Sequence, residues 1–425
     1  MTRSYLPPIF IVGQYKCGTS WLARILSAHP EVIGVHEIDI VDASCKVKNG
    51  AVTLAPMQQR LDRFFDKADW CNDYTPSGWE YADVVARFER GEEIPTRSWD
   101  RSKPLKFMHL RAETARWLYN EIKAAAAPEQ AMNAFLTAVC ANAERESHIV
   151  LKAADQLWNF DILQSWQPNA KKIAITRDGR DASISARHFQ DLMREVKPSR
   201  GVPRIHAYLD LLRKWADRAD RAITAAGRGR LYVLRYEDLT NDYTATLTRL
   251  LDWLELPHSQ PLIDTIQKQT CFETLTGRAR GVEAKGFIRK GAVGEWRHVF
   301  SVPEQEQAWR VAGEQLSALG YTREGTLRPL PDLSNANEYP YRLERNLQLQ
   351  QKVAALRARL RLAEAQVREF KSLSKKKVSP GARWTRPLQA TLRAARKATK
   401  HLARFFVSTI TFATPSCSDA LSIGW

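Results

Sequence analysis

The feature that most constrains the fold lies at the very start: an apolar run, Ile9 to Val12, runs into Gly13-Gln14-Tyr15-Lys16-Cys17-Gly18 and then into a helix-competent stretch, Thr19 to Ala28. Trp21, Leu22, Ile25 and Leu26 fall on one face of that stretch, so the order reads strand, glycine-bounded loop, helix. A loop of this kind aims backbone N–H groups at the N-terminus of a helix, where an anion is held. Further strand-like runs at His148 to Leu151, Lys172 to Thr176 and Leu231 to Leu234 are each followed by a helical pattern. Such alternation predicts an α/β fold, a central parallel sheet flanked by helices on both faces.

The 425 residues carry 64 Lys and Arg against 47 Asp and Glu, a net charge of +17. Tyr341 to Ile410 has 18 basic and 3 acidic residues, and with Asp419 the tail amounts to +14, leaving +3 for residues 1–340. A basic surface for nucleic acid is therefore not expected on the main domain. We expect residues 1–325 to form that domain, with an aromatic-rich insertion at about 60–145, and 326–341 to be a Pro-rich linker. In 342–374, Leu349, Val353, Leu356, Leu360, Ala363, Val367 and Phe370 recur at spacings of four and three, the pattern of a coiled coil or of a lone amphipathic helix. Residues 375–425 read as a basic, mobile tail. Six scattered cysteines without a Cys-x-x-Cys pair suggest neither a disulfide framework nor zinc. No spanning segment and no removable leader are expected, which suggests a cytoplasmic chain, at most peripheral at the inner membrane face.

The loop has the Gly-x-x-x-x-Gly frame of a P-loop, but Thr19 stands where a Walker lysine would reach the β- and γ-phosphates, and Lys16 lies inside the loop instead. A metal-clamped triphosphate is thus not the expected ligand. Tyr15-Lys16-Cys17-Gly18-Thr19-Ser20-Trp21-Leu22 closely resembles the 5′-phosphosulfate loop of sulfotransferases that use 3′-phosphoadenylyl sulfate (PAPS). Later segments are similar to that family in the same order. Lys172 to Ser185 resembles its 3′-phosphate segment, with Arg177 ending a strand and Ser185 eight residues on. Tyr236-Glu237-Asp238-Leu239 resembles a Tyr-Glu-Asp element, and Thr270-Cys271-Phe272-Glu273 a Thr-Ser-Phe-Glu element with Cys for Ser. Phe287 to Arg297, containing Arg289-Lys290-Gly291, is similar to an Arg-Lys-Gly-x-x-Gly-Asp-Trp-Lys segment.

The resemblance implies PAPS as co-substrate, the product PAP, and no metal. Lys16, Cys17, Gly18, Thr19 and Ser20 would surround the phosphosulfate. Arg177, Ser185 and Arg289, with the amides of Lys290 and Gly291, would hold the 3′-phosphate, and Trp21 and Tyr236 would contact the adenine region. The bland alternative for Arg177 is a surface ion pair with Asp178 or Asp181. Charge on the transferring group would be met by Lys16 and the loop amides.

A general base must also take the acceptor proton. His29-Pro30-Glu31-Val32-Ile33-Gly34-Val35-His36-Glu37 resembles the arrangement of many glycan and tyrosyl members, where a Glu after the first helix is the base, and this favours Glu37. His109, in Lys106-Phe107-Met108-His109, echoes the Lys-Thr-His of small-molecule members but lies 68 residues before Arg177. Lys152-Ala153-Ala154 is similar to a Lys-Thr-Pro element, so Lys152 would orient sulfate or acceptor.

Trp70, Tyr74, Trp79, Tyr81 and Trp99 are interleaved with Asp69, Asp73, Asp83 and Asp100, a composition suited to sugar rings or, equally, to the core of an inserted helical subdomain. A glycan or glycolipid acceptor, of the kind sulfated in nodulation-signal or cell-envelope lipo-oligosaccharides, is one expectation. A homodimer through the 342–374 helix and an anionic membrane surface for the tail are two more. The rival readings are a P-loop kinase or NTPase, a nucleic-acid-binding protein, and a PAP-binding protein without catalysis.

Overall fold

In the computed structural model the described residues are 5–35, 86–87, 89–92, 105, 109–141, 147–152, 157, 160–194, 204–284 and 288–333. The chain divides into two compact units, Met1–Leu343 and Glu344–Trp425, and every described residue belongs to the first. Glu37, the aromatic residues between 70 and 99, the heptad segment and the basic tail all lie outside the described residues.

The elements run β1 (Ile9–Ile11), α1 (Thr19–Ser27), β2 (Val32–Val35), α2 (Ala112–Ala124), α3 (Pro128–Ala141), β3 (His148–Lys152), α4 (Phe160–Trp166), β4 (Lys171–Thr176), α5 (Gly179–Arg194) and α6 (Arg204–Gly227). They continue with β5 (Tyr232–Arg235), α7 (Tyr236–Asn241), α8 (Tyr243–Leu254), α9 (Gln260–Thr270), α10 (Phe272–Thr276), α11 (Trp296–Val299) and α12 (Val302–Ala318). The strands form one sheet in the order β2-β3-β1-β4-β5, every neighbouring pair parallel. Ile9 lies opposite Val150 on one side and Lys171 on the other.

Both faces of this sheet are covered, which is why its strands are continuously apolar rather than alternating. Phe10, Ile149, Leu151, Ala174 and Val233 point into a core shared with α2 to α6, α11 and α12. Ile9, Ile11, Val150, Ile173, Ile175 and Leu234 point into a second core with α1 and α7 to α9. The part of the expected insertion described here, α2 and α3, contributes Leu118, Phe135 and Leu136 to the first core.

Functionally the important consequence is at β1. Its chain leaves through α1 into one layer, whereas β4, its neighbour, leaves through α5 into the other. The connections diverge and open a crevice at the carboxyl ends of β1 and β4, the switch point where α/β sheets receive ligands.

Candidate active site

The loop after β1 closes as a turn in which the Cys17 N–H donates to the Gln14 carbonyl at 3.1 Å. Gly18 caps α1 with φ of 100°, a conformation open to glycine, and a Cβ there would fall 2.8 Å from the Tyr236 ring. Lys16 also has positive φ, 64°, a geometry costing roughly 1–3 kcal/mol that persists at functional sites where the surroundings enforce it. Its Nζ lies 4.7 Å from the Phe189 ring of α5. Thr19 is buried and Ser20 half-buried at the first turn of α1.

One residue ties this loop to the loop after β4. The Trp215 carbonyl on α6 accepts from Gln14 Nε2 at 2.8 Å, and its indole Nε1 donates to the Arg177 carbonyl at 3.0 Å. The Cys17 thiol donates to Gln14 Oε1 at 3.5 Å, and burial pushes its pKa up to about 12. Cys17 therefore serves as an inert packing residue, and its N–H is spent within the turn.

Arg177 is 8% exposed. Its Nη2 donates to the Ala292 carbonyl at 2.5 Å, Asp181 lies 3.7 Å away, and the guanidinium stacks 4.9 Å from the Tyr236 ring. Its Nε is buried without a hydrogen-bond partner among the described residues. Burial opposes the charge, but Asp181, Tyr236 and Glu237 outweigh it and hold the pKa above the ordinary guanidinium value. The ion pair of Arg177 is thus with Asp181 and is buried rather than at the surface, while Asp178 is taken by Arg180 at 2.7 Å. Ser185 sits half-buried on α5, two turns after Arg177.

The 289–296 segment is hooked onto this frame. Asp181 accepts from the N–H groups of Gly294 at 2.6 Å and Trp296 at 2.9 Å. Arg289 pairs with Glu283 at 3.2 Å and with Glu295, while Lys290 pairs with Glu283 at 3.1 Å and Glu295 at 3.0 Å. Lys290 and Arg289 hold the Glu283 carboxyl below the usual range; burial would raise Glu295, and the same two cations overcome it. The Gly291 carbonyl accepts from the Tyr236 hydroxyl at 3.1 Å.

Trp21 projects half-buried from α1, its indole donating to the Thr270 carbonyl at 2.7 Å and its ring meeting Tyr236 edge-on at 5.3 Å. Thr270 is buried, with its hydroxyl donating to Ile266. Cys271 is half-buried beside the Thr274 hydroxyl at 3.1 Å. Lys152 ends β3 opposite Ile11 and is 2% exposed. β2 stops at Val35, two residues before Glu37, and His109 is half-buried in the segment leading to α2.

Thus Gly18, Trp21, Arg177, Tyr236, Thr270 and Gly291 are joined by contacts at one crevice, and Lys16 stands in the loop two residues before Gly18, beside Phe189. Sequence reading missed Trp215, Arg280 and the two glutamates on Arg289 and Lys290. It also missed His188, whose Nε2 is buried without a hydrogen-bond partner among the described residues. Burial first and Arg289 second hold the His188 pKa below its ordinary value. Gly179, two residues after Arg177, was the one local hint of close packing there. Among the described residues no group of three or more His, Cys, Asp or Glu is placed to hold a metal ion, and no helix is long and apolar enough to cross a membrane.

Residues 7–260 match the family model described as "Sulfotransferase family". Among curated proteins the chain is similar to the amine sulfotransferase of Oryctolagus cuniculus, 25% identical over 166 residues that cover 35% of this chain and 54% of the relative. It is also similar to cytosolic sulfotransferase 1 of Danio rerio, 27% identical over 169 residues, 36% of this chain and 55% of the relative. The chain spans about half the length of the curated relatives it matches. Among solved structures it is similar to a sulfotransferase of Mycobacterium avium, with 16% identity, a TM-score of 0.41 and coverage of 76% of this chain and 79% of that one. A mouse sulfotransferase solved in complex with PAP shows 13% identity and a TM-score of 0.38, covering 73% and 84%.

Proposed function

This chain belongs to the sulfotransferase family, and on that premise we propose that it transfers the sulfuryl group of PAPS to an acceptor hydroxyl by in-line displacement, releasing PAP. The observation that carries the reading is the partnership at one crevice between a lysine-bearing helix-start loop and the buried Arg177, whose Nε has no hydrogen-bond partner among the described residues. A nucleotide with separated anionic ends suits such a pair, since a buried donor needs an acceptor. Thr19 in the Walker lysine position weighs against a kinase.

In this reading Lys16 and the amides of Gly18 to Ser20 stabilise charge on the phosphosulfate. Arg177, Ser185, Arg289, Lys290 and Gly291 receive the 3′-phosphate, and Trp21, Tyr236, Thr270 and Cys271 line the nucleoside side. The acceptor oxygen forms a bond to sulfur as the sulfur–oxygen bond to the phosphate breaks. The acceptor proton passes to Glu37, and the electron pair leaves on PAP beside Lys16. Lys152 orients the transferring sulfate or the acceptor. The acceptor we favour is a hydroxyl of a carbohydrate or lipo-oligosaccharide, supported by the aromatic and acidic residues between 69 and 100. The +14 tail suits an anionic membrane near such an acceptor, and the heptads of 342–374 suit a homodimer.

Calorimetry with PAP and with MgATP, followed by a transfer assay with labelled PAPS, tests the proposal. PAP binding, weak MgATP binding and label on a glycan or glycolipid are expected. Preference for MgATP would return the kinase reading, and label on phenols with none on glycans would sink the acceptor class.

A further inference from the structure

Ser185, His188 and Phe189 share one face of α5, since residues three and four apart on a helix are neighbours. Phe189 is buried there with the Lys16 ammonium 4.7 Å from its ring, so this face packs against the loop after β1. His188, one turn beyond Ser185, belongs to none of the motifs, and its Nε2 is buried without a hydrogen-bond partner among the described residues. A buried ring nitrogen calls for a polar partner.

The charges around this imidazole come from three places. Lys16 acts on it from the loop after β1, Arg289 and Glu283 from the segment between α10 and α11, and Asp191 from α5 itself. Asp191 is engaged by Arg187 at 2.9 Å, and Glu283 by Arg289 at 3.2 Å and by Lys290 at 3.1 Å. The segment carrying Arg289 is held in place, because Arg278 donates to the carbonyls of Val282, Ile288 and Arg289, and Arg280 to the Tyr236 hydroxyl and the Gly291 carbonyl. Arg289 is the strongest of the charges acting on His188 and outranks Lys16, which puts the ring on the side of the crevice assigned to the 3′-phosphate. Burial and the two cations keep the imidazole neutral near pH 7 in the free protein, and an anion arriving beside it reverses that balance.

We propose that His188 is a further ligand of the nucleotide's 3′-phosphate, donating from Nε2 to a phosphate oxygen and taking up a proton as the nucleotide binds. The proton comes from solvent, leaves an N–H on both ring nitrogens, and returns to solvent when PAP departs. The inference rests on the PAPS reading above and adds to it a residue and a pH dependence. Affinity for PAP falls as pH rises through the pKa of the bound imidazolium, because the unprotonated ring no longer carries the charge that the phosphate favours.

The test is calorimetry of wild type, His188→Ala and His188→Gln with PAP and with AMP, which lacks the 3′-phosphate. It is run at about pH 6.5 and about pH 8.5, above most of the phosphates' own titration near pH 6, and in buffers of different ionisation enthalpy to count protons. Wild type should take up more protons with PAP than with AMP, and should bind PAP about tenfold more tightly at the lower pH, the scale of one charge-assisted hydrogen bond. At that pH His188→Ala should weaken PAP about tenfold and AMP by less than about twofold. His188→Gln keeps a neutral donor near the place of Nε2, and should recover part of the affinity without the pH dependence. The proton count is read on wild type, so the test survives a variant that fails to fold. Equal proton uptake with PAP and AMP, equal losses for the two in His188→Ala, or an undiminished pH dependence in His188→Gln would each overturn the assignment. Failure of the wild type to bind PAP would instead overturn the cofactor reading, and this inference with it.

Discussion

A Cβ added to Gly179 would lie 2.4 Å from Cδ2 of Trp215, so α5 and α6 touch at a point where no side chain larger than hydrogen fits. That contact matters because Trp215 bonds to both site loops, through Gln14 and through Arg177. Gly179→Ala should cost about 1–3 kcal/mol, the range for overpacking, read as a lower melting temperature. PAP affinity should fall with it. Trp215→Phe tests the same tie more gently, removing the indole N–H from the Arg177 carbonyl. PAP affinity unchanged in both variants would mean that the tie between the loops does not support the site.

Glu37→Gln and Lys16→Ala separate chemistry from binding. Loss of a general base lowers turnover by about 10²- to 10⁴-fold, and loss of a preorganised charge contact by about 10²- to 10³-fold. Glu37→Gln should leave PAP affinity within about twofold in calorimetry, because Glu37 is assigned to the acceptor proton alone. Retained turnover in Glu37→Gln would redirect the search for the base to His109.

Arg289 and Lys290, proposed for the 3′-phosphate, are each paired with both Glu283 and Glu295. Glu283 is the exposed member, with 54% of its side chain accessible against 11% for Glu295. An incoming phosphate competes with Glu283 for the two cations, so Glu283→Gln should tighten PAP by about three- to tenfold, within the usual range of a coupling between charged groups. AMP, which lacks the 3′-phosphate, should bind as before. An equal gain for AMP would show that the 3′-phosphate is held elsewhere.

Glu237 underlies the site, accepting from the Asp178 N–H at 3.0 Å and from the Tyr321 hydroxyl at 2.8 Å. Burial pushes its pKa up to about 7 from 4.5, so the folded protein binds this proton more tightly than the unfolded chain. The resulting stabilisation is complete below pH 4.5 and is lost as pH rises through about 7, at most on the order of 3 kcal/mol. Glu237→Gln should flatten the fall in melting temperature between about pH 5 and pH 8. A slope identical to wild type would mean that Glu237 titrates normally.

Much was legible from the chain alone because the signals are local. The strand, the loop Gly13 to Gly18 and the helix after it lie within twenty consecutive residues, and strand runs near 150, 174 and 233 appear as β3, β4 and β5 within a residue of their expected ends. Arg177 at the end of β4 and the Arg289-Lys290-Gly291 segment were equally readable, since each is a short string. Their environment was not. Gln14 reaches Trp215 across 201 residues of chain, and Tyr236 is bonded to Gly291 across 55, separations that no spacing rule connects. Sequence determined which chemical groups the chain would present and in what order. Tertiary structure decided which of them stay buried and charged, which are matched by glutamates, and that Arg280 joins them, because those outcomes depend on packing between distant segments.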